Sequence, residues 1–103
     1  MTEVEVRAGI LMGEAYFRHG RFEEARLAFA GVGHKDGLIA CGENALKRGW
    51  FEEARLAFAA AGVEMPKDGL IACGEKAVEH GRFEEARLVF EVVAAIELAQ
   101  ATQ

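Results

Sequence analysis

The side chains that could act as nucleophiles are few in this 103-residue chain. Serine is absent, the two threonines lie near the termini, and the cysteines are Cys41 and Cys73. A cysteine attacks as its thiolate, which requires a lowered pKa and access to solvent. Both cysteines lie among apolar residues, at the same place in two copies of one motif. We therefore interpret them as small buried side chains, with a redox or metal-binding role as the alternative. Equivalent points on stacked helices lie roughly 8–10 Å apart, which is beyond the reach of a disulfide.

The histidines and paired glutamates have spacings that suit a protein surface better than catalysis. His19 and His80 share one repeat position, where the middle copy has Arg48, and His34 stands alone between two helical segments. A repeat position that holds either histidine or arginine is typical of a polar surface site that accepts several residue types, and not of a metal ligand. The pair Glu23–Glu24 and its two copies are interpreted as a solvated helix face. No glycine-rich phosphate-binding loop lies between a strand and a helix. The chain is therefore predicted to be no enzyme and to need no cofactor or metal.

Composition and charge limit the class of protein and of partner. Apolar residues make up 51% of the chain, which is too many for a disordered protein. The formal net charge of −5 opposes a nucleic-acid surface, which needs a basic patch. No apolar run approaches the roughly 18 residues of a membrane span, and the first residues lack the order of a signal peptide. We expect a cytoplasmic protein that does not bind membranes.

Three near-copies of one segment run through the chain, at residues 20–29, 49–58 and 81–90. A second block at residues 35–43 recurs at residues 67–75. The first two copies are 29 residues apart and the last two are 32 apart. Periods of this length predict an array in which neighbouring units stack to bury their apolar faces.

The elements that position these side chains are predicted to be helices, because apolar residues recur at steps of three and four. In the middle unit, Leu38, Cys41, Ala45 and Gly49 share one helical face. A basic residue followed by Gly predicts the end of the first helix in each unit. The predicted helices span residues 3–19, 22–31, 36–48, 51–61, 68–80 and 83–99. They form one all-α domain, residues 1–103, of three helix-turn-helix repeats at approximately 3–32, 35–62 and 67–100. Its aromatic core is predicted to contain Phe22, Phe29, Phe51, Phe58, Phe83 and Phe90.

The three units resemble the tetratricopeptide repeat in the order of their small and aromatic residues. That family has a Leu-Gly pair, an aromatic residue, a turn glycine, and then an aromatic–alanine–aromatic series on the second helix. In the first unit these motif positions are occupied by Met12, Gly13, Tyr16, Gly20, Phe22, Ala25 and Phe29. The periods are shorter than the family's usual 34 residues, and Ala45 and Ala77 replace the aromatic residue. The resemblance implies a short right-handed α-solenoid of six antiparallel helices.

The pentatricopeptide repeat is a more distant relative, whose members bind single-stranded RNA with polar side chains of the first helix. The corresponding stretches here are residues 37–40 and 69–72, which offer no side-chain hydrogen bond to a base. RNA binding is therefore kept only as a further alternative.

In tetratricopeptide arrays the first helix of each unit lines a concave groove that binds a peptide or a helix. The resemblance places an apolar strip there, formed by Ile10, Phe17, Ile39, Leu46, Ile71 and Val78. The charged residues beside this strip are Glu14, Arg18, Glu43, Lys47, Glu75 and Glu79. The recurring glutamates predict a basic, amphipathic partner helix, the alternative being that they are ordinary helix surface.

The last helix is apolar over most of its circumference, and an exposed apolar patch usually marks an interface. The residues expected to pair with a second copy, most simply in a dimer, are Val89, Val92, Val93, Ile96 and Leu98. A purely structural oligomerisation scaffold without a ligand remains the alternative function. The close similarity of the units fits both a recent duplication and an engineered consensus-like array.

Overall fold

The computed structural model describes residues 1–102 as six helices without a strand. They are α1 (Glu3–Arg18), α2 (Phe22–Gly31), α3 (Lys35–Arg48), α4 (Phe51–Ala61), α5 (Lys67–Glu79) and α6 (Phe83–Ala101). Each odd-numbered helix packs against the helix that follows it, and successive pairs pack side by side. The predicted all-α fold of three helix-turn-helix units is confirmed. Gln103, the last residue of the predicted domain, lies outside the described residues.

Glycine ends two of the helices in a conformation that other residues rarely adopt. Gly49 follows α3 with φ of 76°, and Gly62 follows α4 with φ of 70°. In both cases the glycine amide donates to a carbonyl of the last helical turn, which satisfies one of the free acceptors there. At the other end of the chain, Thr2 and Glu5 form a capping box that starts α1.

The two helices of each repeat cross at a small residue. Ala25, Ala54 and Ala86 hold this crossing position and are all buried. A phenylalanine of the second helix then lies against a glycine of the first. A methyl group added at Gly42 would stand 2.5 Å from the ring of Phe58, so only glycine allows this approach.

The contact between the first and second repeats, which we call the first junction, is closely packed. The ring of Phe29 lies against Gly13 of its own repeat and also against Gly37 of the next. The guanidinium of Arg48 lies 4.9 Å from the ring centre of Phe22, across the same boundary. Helix α2 thus packs against α3 along much of its length.

The second junction, between the second and third repeats, is more open. Residues 62–66 form a longer connection here, and Gly69 faces Leu46 and Pro66 rather than the preceding aromatic ring. Helices α3 and α5 pack together, whereas α4 and α6 lie farther apart and are linked near their first turns by a hydrogen bond from the Phe51 amide to the Glu85 carboxylate. Near the turns, Arg82 donates to the carbonyl of Gly49. The two junctions therefore differ although the repeats that form them are nearly identical.

Candidate protein-binding surfaces

The face formed by α1, α3 and α5 carries most of the residues predicted to line a groove. Those exposed along it are Glu14, Arg18, Glu43, Lys47, Glu75, Val78 and Glu79. Those half-buried are Ile10, Phe17, Ile39 and Ile71. Charged groups therefore dominate this surface, and the isoleucines divide their contacts between the core and the face.

Leu46 is the one member of the predicted apolar strip that the structure removes from the face. Its side chain is 2% exposed and belongs to the main core cluster, with Leu70 and Cys73. It also contacts the Cα side of Gly69 in the next repeat. The helical spacing places Leu46 on the boundary between core and groove. Because α3 packs closely on α5, the Leu46 side chain is buried in the core. Its prediction as a groove residue is wrong.

A pit between α1 and α3 brings two of the predicted groove residues together. Glu14 and Phe17 line it from α1, Asp36 and Ala40 line it from α3, and Phe29 and His34 complete the lining. The pit has a volume of about 280 Å³. Two carboxylates together with aromatic rings suit a cationic side chain that has an apolar stem, such as lysine or arginine.

The predicted interface on α6 needs correction. Val89 and Val93 are buried in the chain's own core, because they pack on the side that faces α5. Val92 and Ile96 are half-buried and face α4. Only Leu98 of the five is openly exposed. The prediction that Val89 and Val93 meet a partner is therefore wrong.

Helices α4 and α6 enclose a groove of about 630 Å³, which exists because the second junction is open. Its floor contains Phe58, Leu70 and Ile96, and the connection between α4 and α5 adds Val63 and Met65. The signal for this groove in the sequence is weak and consists of the three extra residues between the second and third copies of the repeated segment.

Aromatic residues at the C-terminal end of the array were predicted to be buried and are not. Phe83 and Phe90 rank among the large apolar side chains that are exposed. Phe29 and Phe58 are buried as predicted, and Phe22 and Phe51 are half-buried. The prediction fails at the last repeat because no following repeat within the described residues lies against these two rings.

The cysteine thiols are poor candidates for chemistry. Both are buried and unpaired. Burial, with a smaller contribution from the nearby Glu53 carboxylate, raises the pKa of the Cys41 thiol to about 11. Burial also raises the pKa of the Cys73 thiol to about 11, here with help from Glu85. A thiol that stays protonated at neutral pH neither attacks nor binds metal readily.

Two further properties concern metal and membrane binding. Within residues 1–102, no three His, Cys, Asp or Glu side chains converge in a way that could hold a metal ion. None of the helices in the same range is long and apolar enough to cross a membrane.

Comparison of the chain with protein-family models, with curated proteins and with solved structures gives no match.

Proposed function

We propose that this chain is a non-catalytic protein-interaction module related to the tetratricopeptide repeat, which binds a helix of another protein along α1, α3 and α5. The observation that carries this proposal is the pit that Glu14, Asp36 and Phe17 line together. A partner helix would place a basic residue in the pit and lie along the face toward Glu43 and Glu75, both of which are exposed.

The charge of the face supports a basic partner rather than an acidic one. Three equivalent glutamates, Glu14, Glu43 and Glu75, repeat at the same place on successive first helices. Opposite charges across an interface accelerate association and disfavour partners of the wrong sign. The buried free thiols suit a reducing compartment, so the proposal places the module in the cytoplasm.

The proposal is tested with a fluorescein-labelled helical peptide of leucine and lysine, designed with one apolar and one basic face. We expect binding by fluorescence anisotropy, and at least about a tenfold loss of affinity on charge reversal in Glu14→Lys, because a repulsive charge then faces the peptide. Glu84→Lys is the matched control, since Glu84 is highly exposed on α6, away from this face. An equal loss in both variants, or no binding to the wild-type chain, would contradict the proposed site.

A structural scaffold that assembles with itself is the second candidate function. The observation that favours it is the exposure of large apolar side chains at both ends of the array, including Val4 and Met12 on α1 and Phe83 and Phe90 on α6. Exposed apolar residues that cluster are typical of interfaces.

A further inference from the structure

The repeats provide an internal comparison at the N-terminal end of the array. Met12 occupies the position of Cys41 and Cys73. The two cysteines are 4% and 0% exposed, whereas Met12 is 53% exposed. Cys41 is buried because α2 of the preceding repeat packs on its side of α3. Met12 therefore lies on a surface that the other two repeats use for stacking.

The same comparison holds at the C-terminal end. Phe90 is 37% exposed, whereas its counterparts Phe29 and Phe58 are each 3% exposed. Phe83 is 67% exposed, and its counterpart Phe22 is half-buried beneath Trp50 and Arg48 of the following repeat. At both end surfaces, no further repeat among the described residues packs against these side chains.

The exposure of other apolar residues does not follow this pattern. Leu88 is exposed, but its counterpart Leu27 is exposed as well, although a repeat follows it. Likewise Leu11 is exposed, and its counterparts Ala40 and Ala72 are exposed too. Exposure that is specific to the ends therefore singles out Met12, Phe83 and Phe90.

We propose that the first repeat of a second copy covers Phe83 and Phe90, so that copies of the chain stack head to tail in the manner of the first junction. At that junction, Gly37 and Cys41 of α3 meet the preceding repeat. The same positions on α1 are Ala8 and Met12, both exposed. This inference rests on the second function proposed above and is independent of the peptide-binding face.

The side chains at the two ends differ in size from those at the first junction, where a methyl group at Gly37 would stand 2.5 Å from the ring of Phe29. Ala8 carries a methyl group that Gly37 lacks, so α1 of a second copy sits farther from Phe90 than α3 does from Phe29. Met12 is longer and more flexible than Cys41, and such a side chain fills the additional space.

Charge also favours this arrangement. The first junction contains an ion pair of Arg26 with Glu53, at a distance of 2.9 Å. The equivalent positions between two copies are Arg87 on α6 and Glu24 on α2 of the next copy, which carry the same two charges. In the single chain Glu24 pairs with Arg21 and Arg87 pairs with Glu84, both at the surface, so the contact between copies requires only an exchange of surface partners.

A head-to-tail contact uses two different surfaces, so each added copy presents the same open ends as the first. Such heterologous contacts produce open linear assemblies unless a rotation closes them into a ring. A two-fold dimer through α6 would instead stop at two copies. The two arrangements can therefore be distinguished by the mass of the assembly and by mixing variants that are blocked at opposite ends.

The experiment blocks one end at a time. Met12→Glu blocks the N-terminal surface and Phe83→Glu blocks the C-terminal surface, both at exposed positions that the fold tolerates. Leu11→Glu and Leu88→Glu are the matched controls. We expect the wild-type chain and both controls to exceed twice the monomer mass of 11.2 kDa in sedimentation at about 100 µM, as expected for micromolar contacts.

Each blocked variant should sediment as a monomer with an unchanged helical circular dichroism spectrum. An equimolar mixture of the two should form a dimer and nothing larger, because only one pair of intact surfaces remains. Self-association of Met12→Glu alone would show pairing through α6 and overturn the proposal. A wild-type chain that stays monomeric would overturn it too, and would leave peptide binding by the first-helix face unaffected.

Discussion

Arg26 of the first repeat and Glu53 of the second form an ion pair across the first junction, with the Arg26 side chain only 14% exposed. A second hydrogen bond between the same side chains makes the contact bidentate. The equivalent residues at the second junction are Arg55 and Glu85, and they take other partners. Arg55 pairs with Glu52 of its own helix, and Glu85 accepts a hydrogen bond from the backbone amide of Phe51.

Removal of Glu53 should therefore destabilise the array more than removal of Arg55, whose ion pair with Glu52 lies on the surface. Glu53→Ala leaves the largely buried guanidinium of Arg26 without its acceptor, and we expect a loss of about 1–2 kcal/mol in the free energy of unfolding. Arg55→Ala, at an exposed pair, should leave the stability unchanged. Urea denaturation of both variants measures the difference. Equal losses of unfolding free energy would show that the Arg26–Glu53 pair stabilises the fold no more than an exposed ion pair does.

The burial of equivalent phenylalanines predicts unequal costs of truncation. Phe58→Ala empties a site in which the ring is only 3% exposed and should cost about 3–5 kcal/mol. Phe90→Ala lies at the same repeat position but on the open end, so its cost should be about half as large. The comparison needs dilute protein, because association would bury Phe90. A larger loss in Phe90→Ala would mean that the end of the array is not open.

Two glycines should respond in opposite ways to an added methyl group. Gly42→Ala drives a methyl into the ring of Phe58 and should destabilise the fold by about 1–3 kcal/mol. Gly31→Ala meets no heavy atom within 4 Å and lies at the end of α2, so the gain in helix propensity should stabilise the fold by up to about 1 kcal/mol. Thermal unfolding of the two variants gives the signs directly. A stabilised Gly42→Ala would show that α3 and α4 can separate freely.

The buried thiols predict a loss of stability at high pH. The pKa of each thiol rises from 9.0 to about 11 in the folded chain, so folding favours the protonated form. This stabilisation is fully present below about pH 9 and is lost as the pH rises toward 11. Its slope is at most about 1.4 kcal/mol per pH unit for each thiol.

The double variant Cys41→Ala, Cys73→Ala isolates this effect from lysine and tyrosine titration. Between about pH 8 and pH 10 the wild-type chain should lose more stability in denaturant titrations than the double variant does. Parallel pH profiles would contradict the assignment of buried, protonated thiols.

The helices were predictable almost to the residue, because local chemistry determines where they begin and end. Gly49 and Gly62 end α3 and α4 at the predicted places. Pro66 lies just before α5, because proline lacks the amide hydrogen that the interior of a helix needs. The small residues at crossings, such as Ala54, were predictable for the same reason, since a larger side chain would keep the helices apart.

The interfaces were less predictable, because they depend on neighbours and not on local sequence. Phe58 and Phe90 stand in nearly identical segments, yet one is enclosed and the other is not. Val89 and Val93 belong to a stretch of α6 that is apolar over most of its circumference, so its periodicity gives no preferred face. The Arg26–Glu53 ion pair was not predicted either, because Glu23 lies three residues before Arg26 on the same helix and is the nearer acidic partner in sequence.

The three extra residues at the second junction have a mechanical consequence. At the first junction, α2 packs against α3 and an ion pair braces the second helices, so bending there must break several contacts at once. At the second junction, α3 and α5 remain together while α4 and α6 are separated by a groove. Elements with few contacts between them move at low energetic cost. The lowest-cost motion of the third repeat is therefore a widening of the groove between α4 and α6, because the buried contact of α3 with α5 then stays intact.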